Sequence, residues 1–197
     1  MELKGSKTLV CLMKAFAGES QARQRYTMYS KIAQKEGYLQ ISRIFAETAH
    51  NEERHAKIFF QHMQKGLAGE QFPYPVNITA DYPVGVGTTV ENLRYAAAGE
   101  DEENEVLYPE FAATAQSEGF KAIAHSFRQI GEIEAHHRNR YQRLASLVEN
   151  GEVFEKVEPV AWICDECGHI HYGTKAPKIC GVCQHEQGHF SILSENY

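Results

Sequence analysis

The chain lacks any apolar run of about 18 residues, the length a membrane-spanning helix needs, so no segment is expected to cross a bilayer. Its beginning, MELKGSKTLVCLMKAF, lacks the long apolar stretch and small-residue cleavage site of a secretion signal, and a cytoplasmic location is expected. Basic charge is also in short supply. Twenty Lys and Arg against 26 Asp and Glu leave a net charge of −6, which argues against nucleic acid as a partner, since that role normally shows a basic patch. Cysteine is confined: of five, Cys11 stands alone and the others crowd into Cys164, Cys167, Cys180 and Cys183. In a reducing compartment that clustering points to metal ligation ahead of disulfides.

What is present is helix. At 197 residues and 43% hydrophobic content the chain can bury one core with a small appendage. From about Ser6 to Lys65 it is rich in helix formers, broken near Gly37 in KEGYLQ. QFPYPVNITADYPVGVGTT then carries three of the six prolines and reads as a connector. Helical periodicity resumes near Thr89 and runs to about Asn150, broken once at SEGF, with Pro109 expected to kink or bulge the third helix. After NGEVFEKVEPV the texture changes to short aromatic and glycine-rich segments. The expected domains are therefore 1–150 and 151–197, with the boundary between Gly151 and Pro159.

The two helical halves match each other. FAGES answers AAGED at an offset of 81, KEGY answers SEGF at 82, and EERH (Glu52–His55) answers EAHH (Glu134–His137) at 82. A duplicated helical hairpin, packed on its copy as a four-helix bundle, is the simplest account.

The chemistry sits on the apolar stripes. In the second helix the stripe runs Ile41, Phe45, Thr48, Glu52, His55, Phe59; in the fourth it runs Phe120, Ile123, Phe127, Ile130, Glu134, His137, Tyr141. The same E-x-x-H interrupts both, while Glu132 and His136 fall off the stripe. The first helix adds Glu19 and the third Glu100, with Glu103 a turn further on. Carboxylates converging inside a bundle would cost several kcal/mol each if left unpaired. Arg23 is the one arginine placed to help. Two cations would neutralise the set, and imidazole plus carboxylate suits iron or manganese. One Glu from each of two helices plus Glu-x-x-His from each of the other two is the ligand pattern of ferritin-like dimetal bundles. The fold class expected is thus mainly α, a ferritin-like four-helix bundle from two duplicated helical hairpins, followed by a small metal-binding domain.

That domain reads WICDECGHIHYGTKAPKICGVC, two C-x-x-C pairs forming a tetrahedral thiolate site. Trp162, Tyr172 and Phe190 are candidates for a small aromatic core around either zinc or iron. A redox-capable bundle on the same chain favours iron, which passes single electrons where zinc cannot. The remaining histidines, His62, His185 and His189 among them, are expected in surface or local structural roles, and Cys11 as a packing residue.

Through AFAGESQARQRY, IFAETAHNEERHAK, AAAGEDEENEVLYPEFA, EIEAHHRNRY and the cysteine pairs, the chain resembles the rubrerythrins, a diiron bundle followed by a rubredoxin-like domain. The resemblance implies a non-haem peroxidase that reduces hydrogen peroxide to water. By motif, Glu19, Glu52, His55, Glu100, Glu103, Glu134 and His137 would hold two irons, with Glu52 and Glu134 bridging and His55 exchanging with Glu103 as redox state changes. Tyr26 and Tyr108 would hydrogen-bond ligand carboxylates, and a third iron would sit on the four cysteines. Electrons would come from rubredoxin or a reductase, ultimately NAD(P)H, and subunits would pair head to tail as a homodimer or larger homo-oligomer. One departure stands out: the family's second cysteine knuckle reads C-P-x-C-G, whereas here it is Cys180-Gly181-Val182-Cys183-Gln184. The rivals are a ferritin-like ferroxidase or iron store, which needs no cysteine domain, a zinc-ribbon scaffold protein, and a manganese catalase.

Overall fold

The computed structural model describes residues 2–195, so Met1 and 196–197, at the outer ends of the two expected domains, lie outside the described residues. Helix α1 (Lys7–Lys35) starts where the Ser6 hydroxyl accepts the Leu9 amide at 3.1 Å, and α2 (Leu39–Gly66) returns antiparallel to it. Between them Gly37 takes φ 83°, and the Tyr38 amide reaches back to the Ala33 carbonyl at 2.8 Å, closing the end of α1. A connector without helix or strand, residues 71–88, leads to the second hairpin.

That hairpin begins at α3 (Thr89–Glu102), where Thr88 and Glu91 form a reciprocal capping box. A π-helical turn (Glu103–Leu107) follows, then α4 (Tyr108–Ser117) and α5 (Lys121–Glu149). The α4–α5 turn copies the first: Gly119 has φ 82°, and the Phe120 amide bonds the Ala115 carbonyl at 2.8 Å. Pro109 falls in the first turn of α4, directly after the π turn, where the regular α-helical hydrogen-bond ladder is already interrupted. The bulge comes just before it. Glu19 and Glu100 are 81 residues apart but Tyr26 and Tyr108 are 82 apart, so the extra residue of the second half is absorbed in this stretch, by the π turn.

The duplication also ties the hairpins together through two glutamates. Glu118, at the end of α4, accepts the Lys7 and Thr8 amides at 3.1 and 2.8 Å and the Thr8 hydroxyl at 2.6 Å, capping α1. Its counterpart Glu36, at the end of α1, accepts the Thr89 amide at 3.0 Å and caps α3.

Two apolar cores fill the bundle. One gathers Leu9, Leu12, Phe59, Met63, Phe111 and Phe127; the other gathers Tyr26, Tyr29, Ile41, Phe45, Leu93 and Tyr141. At about 1.5–3 kcal/mol per buried large side chain, these layers stabilise the bundle enough to carry a costly polar layer between them.

In the C-terminal region, β1 (Glu155–Cys164), β2 (Ile170–Lys175) and β3 (Phe190–Ile192) form an antiparallel sheet in the order β2-β1-β3. Trp162 is buried and donates its indole N–H to the Gly173 carbonyl at 3.0 Å, and Phe190 packs beside it. Tyr172 does not join them. Strand alternation turns it outward, leaving it 75% exposed, and Phe154 packs against the small core instead. This domain rests on the α1–α2 turn. Tyr38 stacks on Phe154 with centroids 6.0 Å apart, Arg43 pairs with Asp165, and a Cβ at Gly188 would lie 2.4 Å from the Gly37 carbonyl oxygen, so only glycine fits there.

Candidate metal centres

Between the two cores lie Glu19, Glu52, His55, Glu100, Glu134 and His137, each 5% exposed or less. Their ligand atoms form two overlapping groups, each contained within 4.8 Å: Glu19, Glu52, His55 and Glu134 in one, and Glu52, Glu100, Glu134 and His137 in the other. Glu52 and Glu134 belong to both.

The groups mirror each other. His55 Nδ1 lies 2.9 Å from Glu52, 3.0 Å from Glu134 and 3.7 Å from Glu19. His137 Nδ1 lies 2.8 Å from Glu134, 3.4 Å from Glu52 and 3.8 Å from Glu100. The outer carboxylates are braced crosswise: Tyr26 donates its hydroxyl to Glu100 at 2.6 Å, and Tyr108 donates to Glu19. Each hairpin supplies the tyrosine that holds the other's glutamate.

The donor set fits cations. Glu19 Oε2, Glu52 Oε1, Glu100 Oε2, both Glu134 oxygens and His137 Nδ1 are buried and make no aligned hydrogen bond, although they crowd together. Orphaned buried acceptors at this density are the signature of ligands sharing metal ions. In the protein alone, burial and then the Glu52 charge push Glu19 up to about 8, and burial and then Glu100 push Glu134 up to about 7. Burial by itself would lower both imidazoles, yet the close approach of the surrounding carboxylates outweighs it, raising His55 and carrying His137 to about 12. A pair of cations relieves the same repulsion without protons.

Glu103 stands apart. It is half-buried on the π turn, outside both groups, with Oε1 facing Gly18, where a Cβ would meet it at 3.6 Å. Arg23 is also outside, paired with Glu53 at 3.2 Å on the surface. The buried arginine is Arg25, which donates to Gln21 at 2.6 Å and lies over the Tyr26 ring. Glu132 and His136 are exposed.

In the C-terminal domain the four cysteines converge, with Sγ atoms 3.6 Å apart for Cys164–Cys183 and 3.7 Å for Cys167–Cys180. That is far beyond a disulfide, and close to the edge of about 3.8 Å of a tetrahedron whose metal–sulfur bonds are about 2.3 Å. The knuckles are near-copies. Gly168 has φ 75° after Cys167, and Gln184, where the family pattern has glycine, is held at φ 62° after Cys183. His185 Nδ1 approaches Cys183 Sγ at 3.3 Å. Sequence alone gave no signal for that contact.

Comparison with known proteins agrees with both centres. A family described as Rubrerythrin matches residues 11–145, and the Rubrerythrin, rubredoxin-like domain matches 162–191. The chain is 54% identical to Rubrerythrin-1 of Clostridium acetobutylicum, covering 99% of this chain and 98% of that protein. It is 51% identical to the rubrerythrin of Porphyromonas gingivalis, covering 99% and 94%. Among solved structures it is similar to nigerythrin in a partially reduced state (TM-score 0.63, 28% identity, covering 98% and 92%). It is also similar to Desulfovibrio desulfuricans bacterioferritin, described with its diiron site in different catalytic states (TM-score 0.65, 25% identity, covering 74% and 82%).

Proposed function

Since the chain belongs to the rubrerythrin family, with a diiron domain and a rubredoxin-like domain, we propose that it is a peroxidase that reduces hydrogen peroxide to water in defence against oxidative stress. The observation that carries this is the pair of overlapping groups sharing Glu52 and Glu134. Glu19 and His55 would complete one iron's ligands, Glu100 and His137 the other's, and Cys164, Cys167, Cys180 and Cys183 would hold a third iron. Two ferrous ions side by side supply the two electrons that one O–O bond needs, and a thiolate-held iron supplies electrons singly.

The chain's own residues do the rest. Glu52 and Glu134, common to both groups, would each serve both ions, and the two apolar cores exclude water above and below. Tyr26 and Tyr108 orient Glu100 and Glu19. Burial, then the neighbouring carboxylate charge, holds both phenols well above their ordinary range, so each keeps its proton on Oη and stays a donor. Glu103, outside both groups, is the carboxylate free to take or deliver a proton, or to replace His55 as a ligand. Rubredoxin or a reductase drawing on NAD(P)H would feed the cysteine site. That site is anchored at the α1–α2 turn, and α2 runs about 20 Å from there to Glu52. The length of that gap supports a head-to-tail homo-oligomer in which one copy's cysteine domain serves another copy's bundle. Four cysteines arranged for metal fit a reducing, cytoplasmic setting.

Cys180→Ser tests the division of labour. Chemically reduced variant should be oxidised once by hydrogen peroxide, whereas steady-state turnover with a rubredoxin donor should collapse. Undiminished turnover would make the C-terminal domain a passive appendage, and oxygen-driven iron deposition without peroxide consumption would favour an iron store.

A further inference from the structure

The connector, residues 71–88, has no helix or strand, and its residues 79–83 face a cavity that also holds Gly18 and Glu103. Among the described residues no backbone–backbone hydrogen bond holds 71–86. Its first half is held by Tyr74 and Val76, which pack against the apolar core, and its second half by two tyrosine hydroxyls: Tyr82 donates to the Lys14 carbonyl of α1 at 3.0 Å, and Tyr29 of α1 donates to the Gly85 carbonyl at 2.8 Å. A stretch such as 79–86, with no backbone–backbone hydrogen bond and mostly exposed side chains, opens at lower cost than the helices.

Beneath this stretch is a cavity of about 340 Å³. Its walls come from α1, the connector and the continuous stretch from the end of α3 through the π turn into α4, and among its lining residues are Glu103 and Tyr108, the phenol that holds Glu19. Gly18 of α1 lies between Tyr82 of the connector and Glu103 of the π turn. A Cβ built there would stand 3.6 Å from Glu103 Oε1 and 3.9 Å from Tyr82 Cε1, so the missing side chain is what leaves room between the connector and the carboxylate. None of the six buried carboxylate and imidazole groups lines this cavity directly; it meets them through Tyr108, which bonds Glu19, whereas the groove lined by Phe16, Arg23, Glu53 and Phe60 includes neither Tyr108 nor Glu103.

We propose that this cavity is the route by which peroxide reaches the dimetal centre, and that Tyr82 is its specificity-determining residue, admitting hydrogen peroxide and turning away bulkier alkyl hydroperoxides. The inference rests on the peroxidase reading for its substrate, but its geometry is independent of it. The ring roofs the passage above Glu103 and the hydroxyl ties the roof to α1. Gly18 sets the clearance. Since a pocket that differs by one methylene discriminates about 10–200-fold, removing a whole phenol should show clearly.

The test uses iron-loaded full-length protein with Tyr82→Ala and Gly18→Ala. Two quantities are read: the kcat/KM ratio for tert-butyl hydroperoxide over hydrogen peroxide, and the rate at which bipyridyl removes ferrous iron from the bundle. Tyr82→Ala should raise the ratio about 10-fold or more and speed iron removal. Gly18→Ala, whose new methyl fits at van der Waals distance but narrows the passage, should lower the ratio and slow removal. If Tyr82→Ala changes neither quantity, or Gly18→Ala accelerates both, the route lies elsewhere and the proposal fails. If wild type consumes no peroxide but iron removal responds as stated, the access route stands and the peroxidase reading falls.

Discussion

In the first hairpin Glu19 is held by a tyrosine from the second, and in the second hairpin Glu100 is held by a tyrosine from the first. His55 and His137 face matching trios of carboxylates, and Gly37 and Gly119 close matching turns. Against that near-symmetry the π turn belongs to one hairpin alone. One inserted residue carries Glu103 to the edge of the site, beside Gly18 and the cavity, where the first hairpin has Ala22 in the corresponding place and nothing to titrate or ligate. The difference teaches how a duplicated scaffold divides its work: the symmetric positions suit holding two equivalent cations, and the asymmetric one suits chemistry on one side of them.

The symmetric part should break hardest. Glu134→Ala or Glu52→Ala removes a ligand common to both groups, and each should empty or scramble the centre and cut peroxide consumption by orders of magnitude. Glu132→Ala, two residues from Glu134 but exposed, should leave iron content and rate unchanged. Metal analysis and peroxide assays on these variants would show whether α5 presents the face assigned here; a more damaging Glu132→Ala would reverse that assignment.

A smaller effect should follow from the crosswise tyrosines. Tyr26→Phe and Tyr108→Phe each remove one orienting hydrogen bond, and each should lower metal affinity about 10–100-fold. If the halves are equivalent in holding metal, the two losses measured by competitive chelation should agree. If the π turn also makes its side reactive, Tyr108→Phe should depress turnover further than Tyr26→Phe does.

Much of this arrangement was legible in the sequence, for a physical reason. A Glu and a His three apart on an otherwise apolar stripe conflict with burial unless something neutralises them, and the conflict occurs twice in register. The offsets of 81 and 82 revealed the inserted residue, but side-chain periodicity does not say where a backbone absorbs it. The cross-caps by Glu36 and Glu118 were hidden because a turn glutamate looks the same whether it faces solvent or another helix's amides. Arg23 and Arg25 both lie near the stripe in sequence, and only packing shows that Arg25 is the buried one. Tyr82 sits among prolines and glycines, where no periodicity marks a face.

The cross-caps differ in strength and so give a graded stability test. Glu118 accepts three hydrogen bonds and Glu36 one, so Glu118→Gln should cost about 0.5–2 kcal/mol and Glu36→Gln less, read by chemical denaturation. The Thr8 hydrogen bond holds the Glu118 carboxyl below its usual 4.5. Its contribution should therefore be complete above about pH 4.5 and vanish as pH falls through the lower folded value, a loss that Glu118→Gln should not show.

The smallest change belongs to the cysteine knuckles, a second pair of near-copies. Gln184 occupies the left-handed conformation that Gly168 adopts without strain, so Gln184→Gly should stabilise the domain by up to about 1 kcal/mol, measured on the iron-loaded protein.

The central claim is that one chain holds two carboxylate-bound irons and one thiolate-bound iron, and Mössbauer spectroscopy of ⁵⁷Fe-loaded protein measures this directly. The two carboxylate–histidine groups and the single cysteine quartet call for a two-to-one ratio of nitrogen/oxygen-ligated to sulfur-ligated iron. A one-to-one ratio, or zinc filling the cysteine site in protein taken from its native cell, would contradict the account.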